Sequence, residues 1–272
     1  MLHAHDGQFA AHWNDVGELP VELANKTIIV TGASSGIGAA AASLFASEGA
    51  EVVLGARRSA ELEVVVKGIE GLGGRAVYLA GDVRDRDYAA ALVEHAVRSF
   101  GKLDGAFNNA GVVGDMASVP EMDVDNWNEV ISVNLTAGFL GAKAQIPALQ
   151  KQGGGSIIFT SSFVGFSNGG MPGMAAYAAS KAGLIGLTQS LASEHAAQGI
   201  RINALLPGGT ITPAAGEGNP DVLDYISGLH PMKRMAAPKE IAQAALFLLS
   251  DRATFMTGSP MTVDGGISVR LA

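Results

Sequence analysis

The chain has no cysteine. Disulfides, thiolate metal sites and cysteine nucleophiles are excluded together, and a reducing compartment is allowed. Charge is also scarce. Asp, Glu, Lys and Arg make up 16% of the 272 residues, and 18 basic against 26 acidic side chains leave a net charge of −8. Nucleic-acid phosphates are held by clustered Lys and Arg, so that class of partner is not expected. No apolar run reaches the about 18 residues that span a bilayer. The N-terminal MLHAHDGQFAAHWND has neither the basic nor the apolar segment of a signal peptide. A soluble cytoplasmic protein without a membrane partner is expected.

What is present is apolar and rich in glycine. Hydrophobic residues make up 48%, enough for a sizeable core, and glycine is 36 of 272, or 13%. That is nearly twice the usual share of about 7%, and without a G-X-Y period it signals tight turns and close backbone approaches. Residues 1–24 show no periodicity but contain His3, His5 and His12. They read as a metal-binding arm or as a loosely ordered extension. The second reading is preferred because no third ligand of fixed geometry is evident, so no metal is expected.

From Lys26 onward, short apolar runs alternate with longer helical patterns. Strands are expected at residues 27–30, 51–55, 75–80, 103–107, 156–160, 200–205 and 260–263. Helices are expected at 37–47, 60–72, 86–100, 124–149 with a bend at Pro147, 175–197 and 238–250. Repeated strand–helix alternation means parallel strands joined by right-handed crossovers, with helices on both faces. No linker or repeat divides the chain. Residues 25–272 are expected to form a single α/β domain around a doubly wound sheet of seven strands.

Between the first strand and first helix lies Thr31-Gly32-Ala33-Ser34-Ser35-Gly36-Ile37-Gly38. A dinucleotide pyrophosphate needs close-lying backbone at a helix N-terminus, where free N–H groups and the helix dipole meet its charge. Gly32 can make the turn, Gly36 can admit the phosphates, and Gly38 can let helix and sheet pack closely. The second strand ends in Gly55-Ala56-Arg57-Arg58, without the carboxylate that usually binds the ribose 2′-hydroxyl of NAD. A guanidinium there binds a 2′-phosphate, so NADP(H) is preferred over NAD(H); the alternative is a solvated strand end.

Tyr177-Ala178-Ala179-Ser180-Lys181 completes a set of motifs that resembles the short-chain dehydrogenase/reductase family. The likeness runs from Lys26 to the C-terminus and includes Thr31–Gly38, Asp82-Val83, Asn108–Gly111, Asn134, Ser161-Ser162, Pro207-Gly208 and Val263–Gly266. Tyr177 and Lys181 share one helical face, and a nearby ammonium favours phenolate. Alone, such a pair is most often an ordinary helix-surface contact; the nucleotide cradle upstream turns the reading to catalysis.

The resemblance implies a Rossmann-type fold in which Tyr177 and Lys181 are catalytic. It implies that Ser162 orients the substrate oxygen, with Ser161 capping or packing, and that Asn134 holds a water near the lysine. A hydrogen-bonded core asparagine is the other reading of Asn134. For the cofactor it implies contacts from Gly32, Ser34, Ser35, Gly36, Ile37 and Gly38, then Asp82 and Val83, then Asn109, Ala110 and Gly111. Pro207, Gly208, Thr210 and Thr212 would hold the nicotinamide amide and phosphates, beside Tyr177 and Lys181.

Residues 209–234 form a long Gly- and Pro-containing stretch with a helical segment near 221–229, resembling the family's substrate lid. With Met116, Phe163, Phe166, Met171 and Met174 it suggests an apolar pocket. The expected activity is hydride exchange between NADP(H) and a ketone, aldehyde or secondary alcohol. The alternatives are a 3-oxoacyl thioester reductase, weakened by Gly153–Gly155 and Gln198 where carrier-docking enzymes place basic residues, and a non-catalytic NADP(H)-sensing scaffold. The resemblance also implies a homotetramer packed through the helices at 124–149 and 175–197 and the last strand.

Overall fold

The computed structural model describes residues 21–167, 171–215 and 219–269. Its strands are β1 (Thr27–Thr31), β2 (Glu51–Ala56), β3 (Arg75–Ala80), β4 (Gly105–Asn108), β5 (Gly155–Thr160), β6 (Ile200–Pro207) and β7 (Pro260–Val263). They pair in parallel in the order β3-β2-β1-β4-β5-β6-β7. Chain order reverses between β1 and β4, and the crevice at such a switch point is where open α/β sheets bind ligands.

Side chains alternate across each strand, so one run of β-branched residues feeds two cores. Ile28 and Val30 of β1 pack with helices α1 (Gly36–Ser47), α2 (Ser59–Gly71) and α8 (Pro238–Leu249). Ile29, between them, packs with α3 (Tyr88–Phe100), α5 (Ala137–Lys151) and α6 (Ala175–His195). Phe45 of α1 meets Phe107 of β4 edge-on, with centroids 6.1 Å apart and both rings fully buried. Truncating such a ring to alanine costs about 3–5 kcal/mol.

The helix expected at 124–149 is interrupted, though not at Pro147. It comprises α4 (Val124–Ile131), a π-helical turn over Ser132–Thr136, and α5, which runs through Pro147. Ala137 N–H bonds the Ser132 carbonyl, five residues back, and the widened turn carries Asn134 into the interior at 3% exposure. π-turns of this kind collect at functional sites.

Most other boundaries shift by one or two residues, and two of these shifts bear on the core and the site. β6 extends past Leu205 to Pro207, and β4 begins at Gly105, after a fully buried Leu103. Within the 1–24 extension, residues 21–24 are part of the domain: Leu23 is fully buried and its N–H donates to the Glu48 carbonyl. His3, His5 and His12 lie outside the described residues. Among the described residues no helix is long and apolar enough to cross a membrane, and no three acidic or histidine side chains group as a metal site.

Candidate active site

The C-terminal ends of the strands open into a cleft of about 820 Å³. Of the catalytic and cofactor-binding residues expected above, all line it except Gly38 and Asn134. It crosses the sheet from Arg57, Arg58 and Asp82 beyond β2 and β3 to Ser162 and Tyr177 beyond β5. At about 4.8 Å per strand, that separates a nucleotide end from a reaction end by more than 10 Å.

The nucleotide end is shaped by what its glycines leave open. Gly32 and Gly36 adopt φ of +67° and +54°, which other residues rarely tolerate. A Cβ on Gly38 would collide with the Gly32 carbonyl, so α1 can approach β1 this closely only without a side chain there. Arg58 Nη2 donates to the hydroxyls of Ser34 at 2.9 Å and Ser35 at 2.8 Å, which sets its guanidinium across the loop. Arg57 lines the cleft near Asp82. The Asp82 carboxylate is held by Arg84, whose Nε and Nη2 both donate to it, and this lowers its pKa below the usual carboxylate range.

Asn109 ties the switch point together. Its N–H donates to Thr31 Oγ1, its Nδ2 to the Thr31 carbonyl, and its Oδ1 accepts from Thr160 Oγ1. Thr212 approaches Gly36 so closely that a Cβ there would lie 3.0 Å from its methyl. The cradle of left-handed glycines, amides at the start of α1 and the guanidiniums of Arg57 and Arg58, the latter also 3.7 Å from the Glu61 carboxylate, fits a dinucleotide phosphate group.

At the reaction end the structure separates the two serines. Ser161 Oγ donates to the Lys181 carbonyl at 2.7 Å and is committed to the α6 backbone. Ser162 instead is hydrogen-bonded to Tyr177. Lys181 is 3% exposed, its Nζ donating to the Thr160 carbonyl at 2.7 Å and lying 5.4 Å from the Tyr177 ring centroid.

The electrostatics correct one expectation. Burial pushes the Tyr177 phenol above its ordinary value, and the Ser162 bond opposes this only in part. Burial also brings the Lys181 ammonium down to about 8. Desolvation therefore dominates both groups and keeps the phenol in its neutral form. A neutral phenol is the form that donates a proton to a carbonyl oxygen.

Asn134 is fully engaged with protein. Its Oδ1 accepts from Val112 N–H at 2.8 Å, and its Nδ2 donates to the Val112 carbonyl and to Ser180 Oγ, both at 2.9 Å. The side chain thus clamps the loop after β4 to α6. Thr210 Oγ1 is likewise occupied, donating to the Gly208 carbonyl. Phe166, expected in the pocket, is 56% exposed and outside the cleft, whereas Met116, Phe163, Met171 and Met174 line it. Tyr225 and Ile226 of α7 (Pro220–Leu229) and His230 line it too, without having been singled out by sequence. No spacing motif marks them; only their place in the lid stretch pointed toward the site.

Comparison with known proteins agrees with this geometry. A family model described as enoyl-(acyl carrier protein) reductase matches residues 32–268. Cyclohexanol dehydrogenase of Acinetobacter sp. (strain SE19) is 41% identical over 241 residues, 89% of this chain and 94% of that protein. The 3-oxoacyl-(acyl-carrier-protein) reductase FabG of Thermotoga maritima is 39% identical over 249 residues, 92% of this chain and all (100%) of that one. The solved structure of levodione reductase superposes with a TM-score of 0.87 at 31% identity, covering 92% of this chain and 100% of its own. The protein is accordingly an oxidoreductase of CH–OH and C=O groups that uses a nicotinamide cofactor. The fold, the motif order and these relatives, each aligned over about nine-tenths of the chain, establish that it belongs to the short-chain dehydrogenase/reductase family.

Proposed function

We propose that the protein is an NADP(H)-dependent reductase of small uncharged ketones or aldehydes, working in reverse on secondary alcohols. The observation that carries this reading is the Ser162–Tyr177–Lys181 cluster opening into the same cleft as the Arg58–Ser34–Ser35 cradle. When bound, the nicotinamide supplies or accepts the hydride. Ser162 and Tyr177 orient the substrate oxygen, and the neutral Tyr177 phenol gives it a proton. The Lys181 charge stabilises the phenolate left behind. Gly36, Ser34, Ser35, Arg57 and Arg58 hold the phosphates, while Pro207, Gly208 and Thr212 border the nicotinamide end.

The substrate class follows from the lining. Around Tyr177 it is built of Met116, Phe163, Met171, Met174, Val222 and Ile226. Among the described lining residues, Lys, Arg, Asp and Glu side chains occur only as Arg57, Arg58, Asp82 and Lys181. A substrate carboxylate would be desolvated in the lid half without a partner. The relative named for cyclohexanol points to uncharged alicyclic alcohols as a first panel.

A thioester reductase is the second reading, favoured by the full-length match to FabG. Gly153–Gly155 and Gln198 weigh against it, placing no basic side chain at those positions. They lie at the N-terminal ends of β5 and β6, opposite the cleft. The intact Ser162–Tyr177–Lys181 geometry disfavours a purely sensing scaffold. A tetramer is supported by Val124, Trp127 and Phe139, apolar residues left exposed on α4 and α5.

NADPH oxidation with cyclic ketones, aldehydes and acetoacetyl thioesters tests the assignment. Turnover of cyclic ketones that falls about 10²–10⁴-fold in Tyr177→Phe, with NADPH binding kept, is expected. Equal rates in both proteins would remove the mechanism, and preference for the thioester would select the second reading.

A further inference from the structure

We infer that His230 is a positioning residue, a buried strut that locks the lid helix to the floor of the cofactor cleft. His230 follows α7 directly and is 1% exposed. Its Nδ1 lies 2.8 Å from the Ile226 carbonyl, in the last turn of α7, and its Nε2 accepts the Gly209 N–H at 2.9 Å. A carbonyl only accepts, so Nδ1 carries the proton and Nε2 the lone pair. One neutral tautomer satisfies both partners.

The surroundings are cut to this ring. A Cβ on Gly209 would lie 2.7 Å from His230 Cε1, and one on Gly208 would lie 2.9 Å from Nε2. Both glycines follow β6 and line the cleft, as do Tyr225 and Ile226 of the lid. The Gly209 carbonyl in turn accepts the Ala236 N–H at 2.9 Å, and Thr210 pairs with Ala236, so the two roots of the lid meet at Gly209. The imidazole is the link between this junction and the helix that covers the substrate. Both of its ring nitrogens are engaged with backbone, so it acts through the lid. It sets where Ile226 and Tyr225 stand above the floor on which the cofactor and ketone would rest.

This inference rests on the proposed use of the cleft, and its test reads the lid separately from activity. His230→Phe keeps the ring volume without either nitrogen, and His230→Gln offers an amide oxygen to Gly209. Deuterium uptake of residues 220–229, NADPH affinity by fluorescence titration, and kcat and KM for a cyclic ketone are measured for each protein. In His230→Phe faster exchange across 220–229 is expected, with the ketone KM raised about tenfold, the worth of roughly one hydrogen bond. The kcat at saturation should change much less than KM, and His230→Gln should recover most of the loss.

If His230→Phe does not fold, His230→Asn, whose shorter amide cannot span from the Gly209 N–H to the Ile226 carbonyl, should give the same faster exchange and raised KM. Wild-type exchange and KM in His230→Phe overturn the inference, as does a fall in kcat at unchanged KM or no difference between Phe and Gln. A wild type that binds NADPH but reduces no carbonyl would remove the proposed function, and the exchange data would still decide the strut.

Discussion

Lys181 Nζ donates to the backbone carbonyl of Thr160, the last residue of β5, at 2.7 Å. That bond anchors the ammonium at the sheet edge, 5.4 Å from the Tyr177 ring centroid, and leaves it buried with no counter-charge among the described residues. The cluster is held by strand backbone on one side and by α6 on the other. Its geometry is therefore set before any ligand arrives, at the expense of stability.

The cost has a sign in pH. Folded Lys181 titrates near 8 against 10.5 for an ordinary lysine, so between these values the unfolded chain binds more protons. Its contribution to stability then rises with pH across that window, and its penalty is complete below it. Lys181→Met is expected to be more stable than wild type near neutral pH by on the order of 2 kcal/mol, after allowing for the lost Thr160 bond. Urea titrations of both proteins should show this gap closing toward pH ~10. A gap independent of pH would contradict the assignment.

Adjacent serines should separate in their effects. Ser162→Ala removes the partner of Tyr177 and is expected to lower kcat about 10–100-fold with a near-wild-type melting temperature. Ser161→Ala withdraws the donor from the Lys181 carbonyl and should cost about 1–2 kcal/mol in stability with kcat nearly kept. Melting curves and steady-state rates on both variants check the contrast.

Arg58 spans two serines of the glycine loop. Arg58→Ala is expected to weaken NADPH binding about ten- to hundredfold, the range for a charge-assisted bond. NADH, which lacks the 2′-phosphate, should bind about as before. Fluorescence titration with the two cofactors measures the ratio, and an equal loss for both would assign Arg58 to the loop alone.

Asn134 satisfies both backbone groups of Val112. Asn134→Ala leaves them without that partner in the interior, which should cost about 2–3 kcal/mol. Gly111, whose Cβ would sit 3.2 Å from Asn134 Oδ1 and 3.3 Å from Lys181 Nζ, lies on the same loop. Activity should fall with stability. A thermal melt unchanged from wild type would show that the clamp is not needed.

The strand–helix alternation was readable from Thr27–Val30 and its successors because a doubly covered parallel sheet demands continuous β-branched runs. The interruption of the helix near Asn134 was not. Pro147 drew attention as the local breaker, yet α5 runs through it, forgoing the one hydrogen bond to the Lys143 carbonyl while Ile146 and Leu149 on either side stay buried. The real break serves a contact with Val112, 22 residues away in the chain. Phe163 and Phe166 likewise look equivalent in sequence, and only the short turn after β5 decides that Phe163 enters the cleft and Phe166 faces solvent.

What the sequence by itself determined is everything that depends on neighbours along the chain. The glycine spacing makes the tight turn after β1, the four-residue interval puts Tyr177 and Lys181 on one face, and the hydrophobic period places each element. Tertiary structure alone decided which serine meets the phenol, that Lys181 is held by Thr160, and that His230 braces the lid against Gly209. It also reversed the expected tuning of Tyr177. Ionisation depends on how much water is excluded around a group, and exclusion is produced by packing between distant segments, which no local pattern records.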